Sequence, residues 1–167
     1  MRDIDPSLID DTWRRIREYD SATAVTEAQH FAREQPAVLH FTLEFLREFD
    51  EGTRGTALGL VYLLFRAAEA ARRVPLPSLS PEQIEERYTI NTEWLDAMER
   101  MESAPLERWQ DHLPRSPVAL YILQAYGPPL QKQGPSERRG QSHLLVLLMT
   151  LLETLESEEG REPSGEQ

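Results

Sequence analysis

The amino-acid sequence predicts an all-α protein, folded as an irregular bundle of about seven helices. The first observation is the segment of residues 143–155, in which nine of the thirteen residues are large and apolar. They would cover every face of a helix, and such a helix must be buried inside a bundle or beneath another chain. The second observation is the frequency of helix start and stop signals. The third is that no segment alternates like a strand followed by a hairpin turn.

Cap residues and prolines predict four helices in the first part of the chain, over residues 6–19, 21–35, 36–49 and 53–73. The dipeptide Asp-Pro at residues 5–6 is typical of a helix start, because proline is tolerated at the first helical position. Ser21 is the expected cap of the second helix. Pro36 ends that helix and begins the third. The sequence Asp-Glu-Gly at residues 50–52 is expected to end the third helix.

For two of these helices, the sequence also predicts how they pack. The second helix has apolar residues at helical spacing, which predict a buried face made of Val25, Ala28, Phe31 and Ala32. In the fourth helix, Gly55 and Gly59 have the spacing at which two helix backbones can approach closely. That motif carries weight mainly in membrane helices. We therefore expect close packing inside the chain, with a dimerisation face as the alternative.

The second part of the chain begins with a proline-containing linker at residues 74–80, expected to be a crossover loop. Ser80, Pro81 and Gln83 form a capping-box pattern that starts a fifth helix, which extends to about residue 101. Its core face is predicted to be Ile84, Tyr88, Asn91, Leu95 and Met98. Prolines predict two short helices over residues 105–112 and 117–126. A loop over residues 127–140 follows, since it has no apolar period.

These elements predict one folded unit. We expect residues 1–156 to form a single all-α domain whose two apolar central helices are residues 53–73 and 139–156. Residues 157–167 are rich in glutamate and predict a disordered acidic tail.

Composition and charge exclude several function classes. The net charge of -11 disfavours a nucleic-acid partner, because binding to phosphates requires a basic surface. No apolar run approaches the ~20 residues of a membrane-spanning helix, so no membrane partner is expected. The chain has no cysteine and therefore no disulfide or thiolate site. The polar N-terminal residues lack the apolar core of a signal peptide, which predicts a cytoplasmic protein.

Two pairs of histidine and glutamate residues have a spacing at which both side chains could bind one metal ion. Glu27 and His30 have the Glu-x-x-His spacing used in di-iron helical bundles, and His40 and Glu44 lie one helical turn apart. A di-iron centre needs two such motifs and two further glutamates, and the chain contains only one Glu-x-x-His. We therefore predict no metal, no cofactor and no catalytic residue, and interpret these side chains as exposed pairs on helix surfaces.

The loop at residues 127–140 holds the best candidates for contact with a partner. Lys132, Arg138 and Arg139 are basic residues in a chain whose net charge is -11. The two arginines precede the apolar helix, where a positive charge is unfavourable for the helix dipole. This local inconsistency makes the three residues candidates for binding an acidic partner.

The function favoured by the sequence is a non-enzymatic intracellular protein-interaction module, such as an adaptor, a regulator or a neutralising partner. We expect it to form a homodimer, because two helices that are apolar on several faces are difficult to cover within one small domain. The alternative is a helical-bundle enzyme or small-ligand binder with a pocket built from dispersed residues. A deep pocket containing Glu27, His30, His40 and Glu44 would favour the alternative, and a flat apolar patch would favour the interaction module.

Overall fold

The computed structural model describes residues 4–100, 117–128 and 135–159. These ranges contain seven α-helices and no strand, which confirms the predicted fold class. The helices are α1 (Pro6–Arg17), α2 (Ser21–Glu34), α3 (Pro36–Phe45), α4 (Glu51–Arg72), α5 (Pro81–Arg100), α6 (Pro117–Tyr126) and α7 (Pro135–Glu159). The short helix expected over residues 105–112 lies outside the described residues.

Helix α7 lies at the centre of the bundle, packed against α3, α4, α5 and α6. Its apolar residues from Leu144 to Leu152 are all buried. Polar contacts set its position against α5: Asn91 Nδ2 donates to Thr150 Oγ1 at 3.0 Å, and Arg87 Nη1 lies 3.4 Å from Glu153 Oε2. Because Asn91 and Thr150 are both buried, their hydrogen bond satisfies groups that water cannot reach.

Helix α4 is the second central helix. Its buried residues are Ala57, Leu60, Val61, Leu63, Leu64, Phe65, Ala67 and Ala68, and it packs against α1, α6 and α7. One chain therefore covers the apolar faces of both central helices, which the sequence argument for a homodimer had treated as difficult. Within the described part of the chain, no helix is both long enough and apolar enough to cross a membrane.

Two helix starts differ from the sequence prediction. The cap of α2 is Asp20 rather than Ser21, since the Asp20 carboxylate accepts from the Thr23 amide at 2.7 Å. Asp50 does not end α3. Its carboxylate accepts from the Thr53 amide at 3.0 Å, which makes it the N-cap of α4 and places Gly52 inside that helix.

The capping box at the start of α5 is confirmed. The Ser80 amide donates to Gln83 Oε1 at 2.8 Å, and the Gln83 amide donates to Ser80 Oγ at 3.3 Å. The core face of α5 is confirmed at Ile84, Asn91 and Leu95, which are buried, while Tyr88 is half-buried. The side chain of Met98 lies outside the described residues.

Three other boundaries or faces were predicted wrongly. Helix α3 ends at Phe45 and the chain then turns, with Leu46 still buried in the core. Val25 and Ala28 of α2 are exposed, because this helix lies on the surface and buries only Phe31. Helix α7 begins at Pro135, where proline suits a first turn, and continues to Glu159, three residues into the predicted tail.

Gly55 and Gly59 do not mark a close approach of two helices within the chain. A Cβ atom added to either residue would meet no atom within 4 Å. The expectation of tight internal packing is therefore wrong at this position. Gly127 differs, because an added Cβ would lie 2.2 Å from the carbonyl oxygen of Leu123.

Substituting these glycines with alanine should change the free energy of unfolding in opposite directions. Gly55→Ala and Gly59→Ala should each raise the free energy of unfolding by about 0.5–1 kcal/mol, since alanine restricts the unfolded chain and fits the helix. Gly127→Ala should lower it by about 1–3 kcal/mol through overpacking. Urea unfolding followed by circular dichroism measures all three. Destabilisation by Gly55→Ala would show that another surface packs on this face of α4.

A second polar contact joins α1 to α6. Asp10 accepts hydrogen bonds from Tyr126 and, at 2.8 Å, from Tyr121. These bonds, first that of Tyr126, hold the pKa of Asp10 below its usual range. Burial and the hydrogen bond with Asp10 raise the pKa of Tyr126 to about 12. The ring of Tyr126 also packs on Trp13, with centroids 4.9 Å apart.

The contact of Asp10 with its tyrosines predicts losses of stability in two pH windows. The lowered pKa of Asp10 stabilises the fold above the ordinary aspartate value of about 3.9, and this contribution is lost as pH falls through the folded pKa. The raised pKa of Tyr126 stabilises the fold below about pH 10, and this contribution is lost as pH rises through about 12.

Urea unfolding over a pH series separates the two. Asp10→Asn should flatten the acid limb of the stability curve. Tyr126→Phe should flatten the alkaline limb and also weaken the acid limb, because its hydrogen bond contributes most to the lowered pKa of Asp10. Curves parallel to that of the wild type would contradict the assignment.

Candidate functional site

The surface helix α2 is attached to α4 by one buried aromatic residue. Phe31 is the only buried residue of α2. Its ring meets Tyr62 edge-on with centroids 5.7 Å apart, and it meets Phe65 at 5.5 Å. Aromatic edge-to-face pairs of this kind contribute about 0.5–1.5 kcal/mol beyond area burial. Hydrogen bonds and ion pairs also join the two helices.

Arg66 is the centre of these polar attachments. Its Nη1 lies 2.5 Å from Glu69 Oε2 and 3.3 Å from Glu34 Oε2, and its Nη2 lies 3.5 Å from Glu27 Oε2. The guanidinium also lies over the ring of Tyr62, 5.1 Å from the centroid. Three carboxylates from two helices therefore surround one arginine, so the group carries a net negative charge.

Tyr62 extends this group to the loop between α1 and α2. Its hydroxyl donates to Glu27 Oε2 at 2.8 Å and lies 3.2 Å from the hydroxyl of Tyr19. Burial and the hydrogen bond with Tyr19 raise the pKa of Tyr62 well above its usual range. The phenol is therefore neutral under all ordinary conditions and acts as a fixed hydrogen-bond donor to Glu27.

The wall next to Arg66 is made by the extended segment of residues 74–80. Gln35, the buried residue between α2 and α3, donates from Nε2 to the Pro77 carbonyl at 2.8 Å. Its Oε1 accepts from the Leu79 amide at 3.1 Å. These two bonds fix the segment, because a buried amide that is satisfied on both sides has little freedom to rotate.

Two adjoining depressions lie between this wall and the charged group. The deeper has a volume of about 160 Å³ and is lined by Phe31, Glu34, Gln35, Phe65, Arg66, Glu69, Pro75 and Leu76. The broader and shallower one, about 340 Å³, is lined by Arg66, Glu69, Ala70, Arg73, Val74 and Pro75. We call the residues of both linings together the Arg66 surface.

The four candidate metal ligands predicted from the sequence do not form one site in the structure. Glu27 is half-buried and bound to Tyr62 and Arg66, whereas His30, His40 and Glu44 are exposed. None of the four lines either depression. Among the described residues, no three histidine, aspartate or glutamate side chains are placed to hold a metal ion.

The basic candidates of the loop have a different placement from the one expected. Arg138 and Arg139 belong to the first turns of α7, because the helix begins at Pro135. Their side chains lie outside the described residues, as does Lys132 altogether. Their expected contact with a partner stays a prediction.

Sequence reasoning missed Arg66, although a signal was present. Arg66 is the only charged residue between Arg54 and Glu69. A lone charge within a long apolar helix stretch must find partners or water, because an unpaired buried charge is strongly unfavourable. Its partners on α2 lie more than thirty positions away in sequence, so their identity required the fold.

Comparisons of the chain with models of protein families, with curated proteins and with solved structures found no significant match. A function for the Arg66 surface can therefore be inferred only from its geometry.

The polar attachment of α2 gives a prediction about local stability. Arg66→Gln should loosen α2 by about 1–3 kcal/mol, because it removes the charge shared by three glutamates and leaves them to repel one another. Hydrogen exchange of the full chain should then show amides of residues 21–34 exchanging at least about fivefold faster, with α4 and α7 unchanged.

Arg14→Gln is the matched control, since Arg14 forms one exposed pair with Asp11 on α1 at 3.0 Å. Equal acceleration in α2 and α7 would contradict a local role for Arg66 and indicate that the whole bundle opens.

Proposed function

We propose that this protein is a non-enzymatic protein-interaction module of the cytoplasm, and that its partner docks on the Arg66 surface. One observation carries the proposal. A charged group that is fixed by three ion pairs stands next to an apolar wall that is fixed by the buried Gln35. Arginine and aromatic residues are enriched in the cores of protein interfaces. A pre-organised surface of this kind loses little conformational entropy when a partner binds.

The shape of the surface favours a macromolecular partner over a small substrate. Pockets for small ligands commonly have about 300–1,000 Å³ and enclose most of the ligand. The deeper depression has about 160 Å³, and the larger one is shallow. The carboxylates at the site are bound to Arg66, which suits recognition by charge and shape better than proton transfer.

A comparison of two exposed apolar residues tests the proposal. Val74, at the Arg66 surface, and Ile90, on α5, each have 50% of their surface exposed. The full chain with an affinity tag is expressed in cells that contain it naturally, and bound proteins are quantified by mass spectrometry. We expect a partner that the wild type and Ile90→Asn capture equally and that Val74→Asn captures at least about tenfold less, because the polar side chain loses the apolar contact without adding a charge.

Each other outcome has a definite meaning. A partner retained fully by Val74→Asn would contradict the Arg66 surface as the docking site. A stoichiometric small molecule in native mass spectra, with no protein partner, would favour the small-ligand binder instead.

A second copy of the chain is the first partner to test. The sequence argument for a homodimer has lost part of its support, since α4 and α7 are covered within one chain. The exposed large apolar residues Val25, Leu43, Val74 and Ile90 are what a second copy would use among the described residues. Light scattering coupled to size exclusion decides: a mass that stays at 19.3 kDa over a tenfold concentration range contradicts the homodimer.

A further inference from the structure

We propose that the Arg66 surface binds a basic segment of its protein partner, with a lysine or arginine side chain lying along the apolar wall and its charge at Glu34 and Glu69. This inference rests on the proposed function and adds the chemistry of the partner. Its first support is the order in which the charges are buried. The side chain of Arg66 is 17% exposed, whereas those of Glu27, Glu69 and Glu34 are 30%, 35% and 53% exposed. The positive charge lies beneath, and the negative charges are what an approaching molecule meets.

The charge of the whole chain acts in the same direction. The net charge of -11 attracts a cationic partner over distances of about a Debye length, roughly 8–10 Å at moderate ionic strength. Arg73 lines the broader depression but not the deeper one, whereas Glu34 lines only the deeper one. A cationic side chain is therefore expected to enter from the side of Glu34, in the deeper depression.

The deeper depression also fits the body of such a side chain. Lysine and arginine bury their methylene stems along apolar surface while the charged end stays in a polar environment. Phe31, Phe65, Pro75 and Leu76 provide the apolar surface, and Glu34 and Glu69 provide the polar end. The volume of about 160 Å³ is close to the roughly 150 Å³ of a cavity that accepts benzene, so one side chain fits.

Neighbouring residues of the partner segment would contact the rim. Val74, the first residue of the wall, is half exposed. The wall is held in place by the hydrogen bonds of Gln35 to Pro77 and Leu79. A basic residue flanked by apolar residues therefore matches the surface better than a run of charges alone.

The experiment uses fluorescein-labelled peptides that differ only in one central residue between two leucines: lysine, arginine, glutamine or glutamate. Binding to the full chain is measured by fluorescence anisotropy. We expect the lysine and arginine peptides to bind at least about tenfold more tightly than the glutamine peptide, because each forms a charge-assisted hydrogen bond. Raising the salt concentration should reduce this difference.

Paired variants separate the site from the overall charge. The double variant Glu34→Gln, Glu69→Gln should lose the preference for basic peptides. The control Glu44→Gln, Glu48→Gln removes the same charge from exposed positions on and just after α3 and should keep the preference. Val74→Ser should weaken all four peptides without changing their order, a result that does not depend on the folding of the glutamate variants.

The outcomes distinguish this inference from the proposed function. Equal binding of the glutamine and lysine peptides, or equal loss in both double variants, overturns the inference. Tighter binding of the glutamate peptide than of the lysine peptide would show that the surface prefers an acidic segment, recognised by Arg66 and Arg73. If no peptide binds while Val74→Asn still reduces capture of a partner, the inference fails and the proposed function stands. If neither assay detects binding, both fail.

Discussion

Burial of the apolar stretch of α7 is the constraint on which the arrangement of the other helices depends. From Leu144 to Leu155, only the side chain of Glu153 is not fully buried. Burying one leucine contributes about 1.5–3 kcal/mol, so this stretch alone accounts for a large share of the favourable free energy of folding. A helix that is apolar on all sides needs neighbours on all sides, and α3, α4, α5 and α6 supply them. Buried pairs such as Asn91 with Thr150 then select one register of α5 against α7.

The contrast between α7 and α2 explains where a binding surface can lie. Helix α2 buries one aromatic ring, packs against α3, and is also joined to α4 by hydrogen bonds and ion pairs. Ion pairs that are partly exposed contribute little to global stability. The proposed docking on the Arg66 surface would therefore use side chains on which the fold depends little, while the core around α7 maintains the fold.

Much of the fold could be predicted from the sequence because its helix signals are local. The capping box of Ser80 and Gln83 and the helix Pro117–Tyr126 follow from side chains within one turn of the boundary. The same local signals misled at residues 50–52, where aspartate suits an N-cap and glycine suits a helix end. The hydrogen bond from the Thr53 amide decides for the N-cap. The exposed face of α2 was not predictable, since helical spacing shows that a face exists and not what covers it.

The Arg66 surface shows why a site of this kind leaves so little trace in a sequence. Its residues come from α2 and Gln35 on one side, and from α4 and the residues that directly follow it on the other. All of α3 lies between these two parts of the chain, so local spacing does not predict that they meet. The spacing of Glu27 and His30 suggested a shared ligand, yet the structure directs Glu27 to Tyr62 and Arg66 and leaves His30 exposed. A more useful signal was the single charge of Arg66 in an apolar helix, because its desolvation requires partners from elsewhere in the fold. Glu27 and Glu34 of α2 are such partners, and Glu69 of α4 itself adds a third carboxylate where one would neutralise the charge. This excess of carboxylates is the physical basis for expecting a positively charged partner.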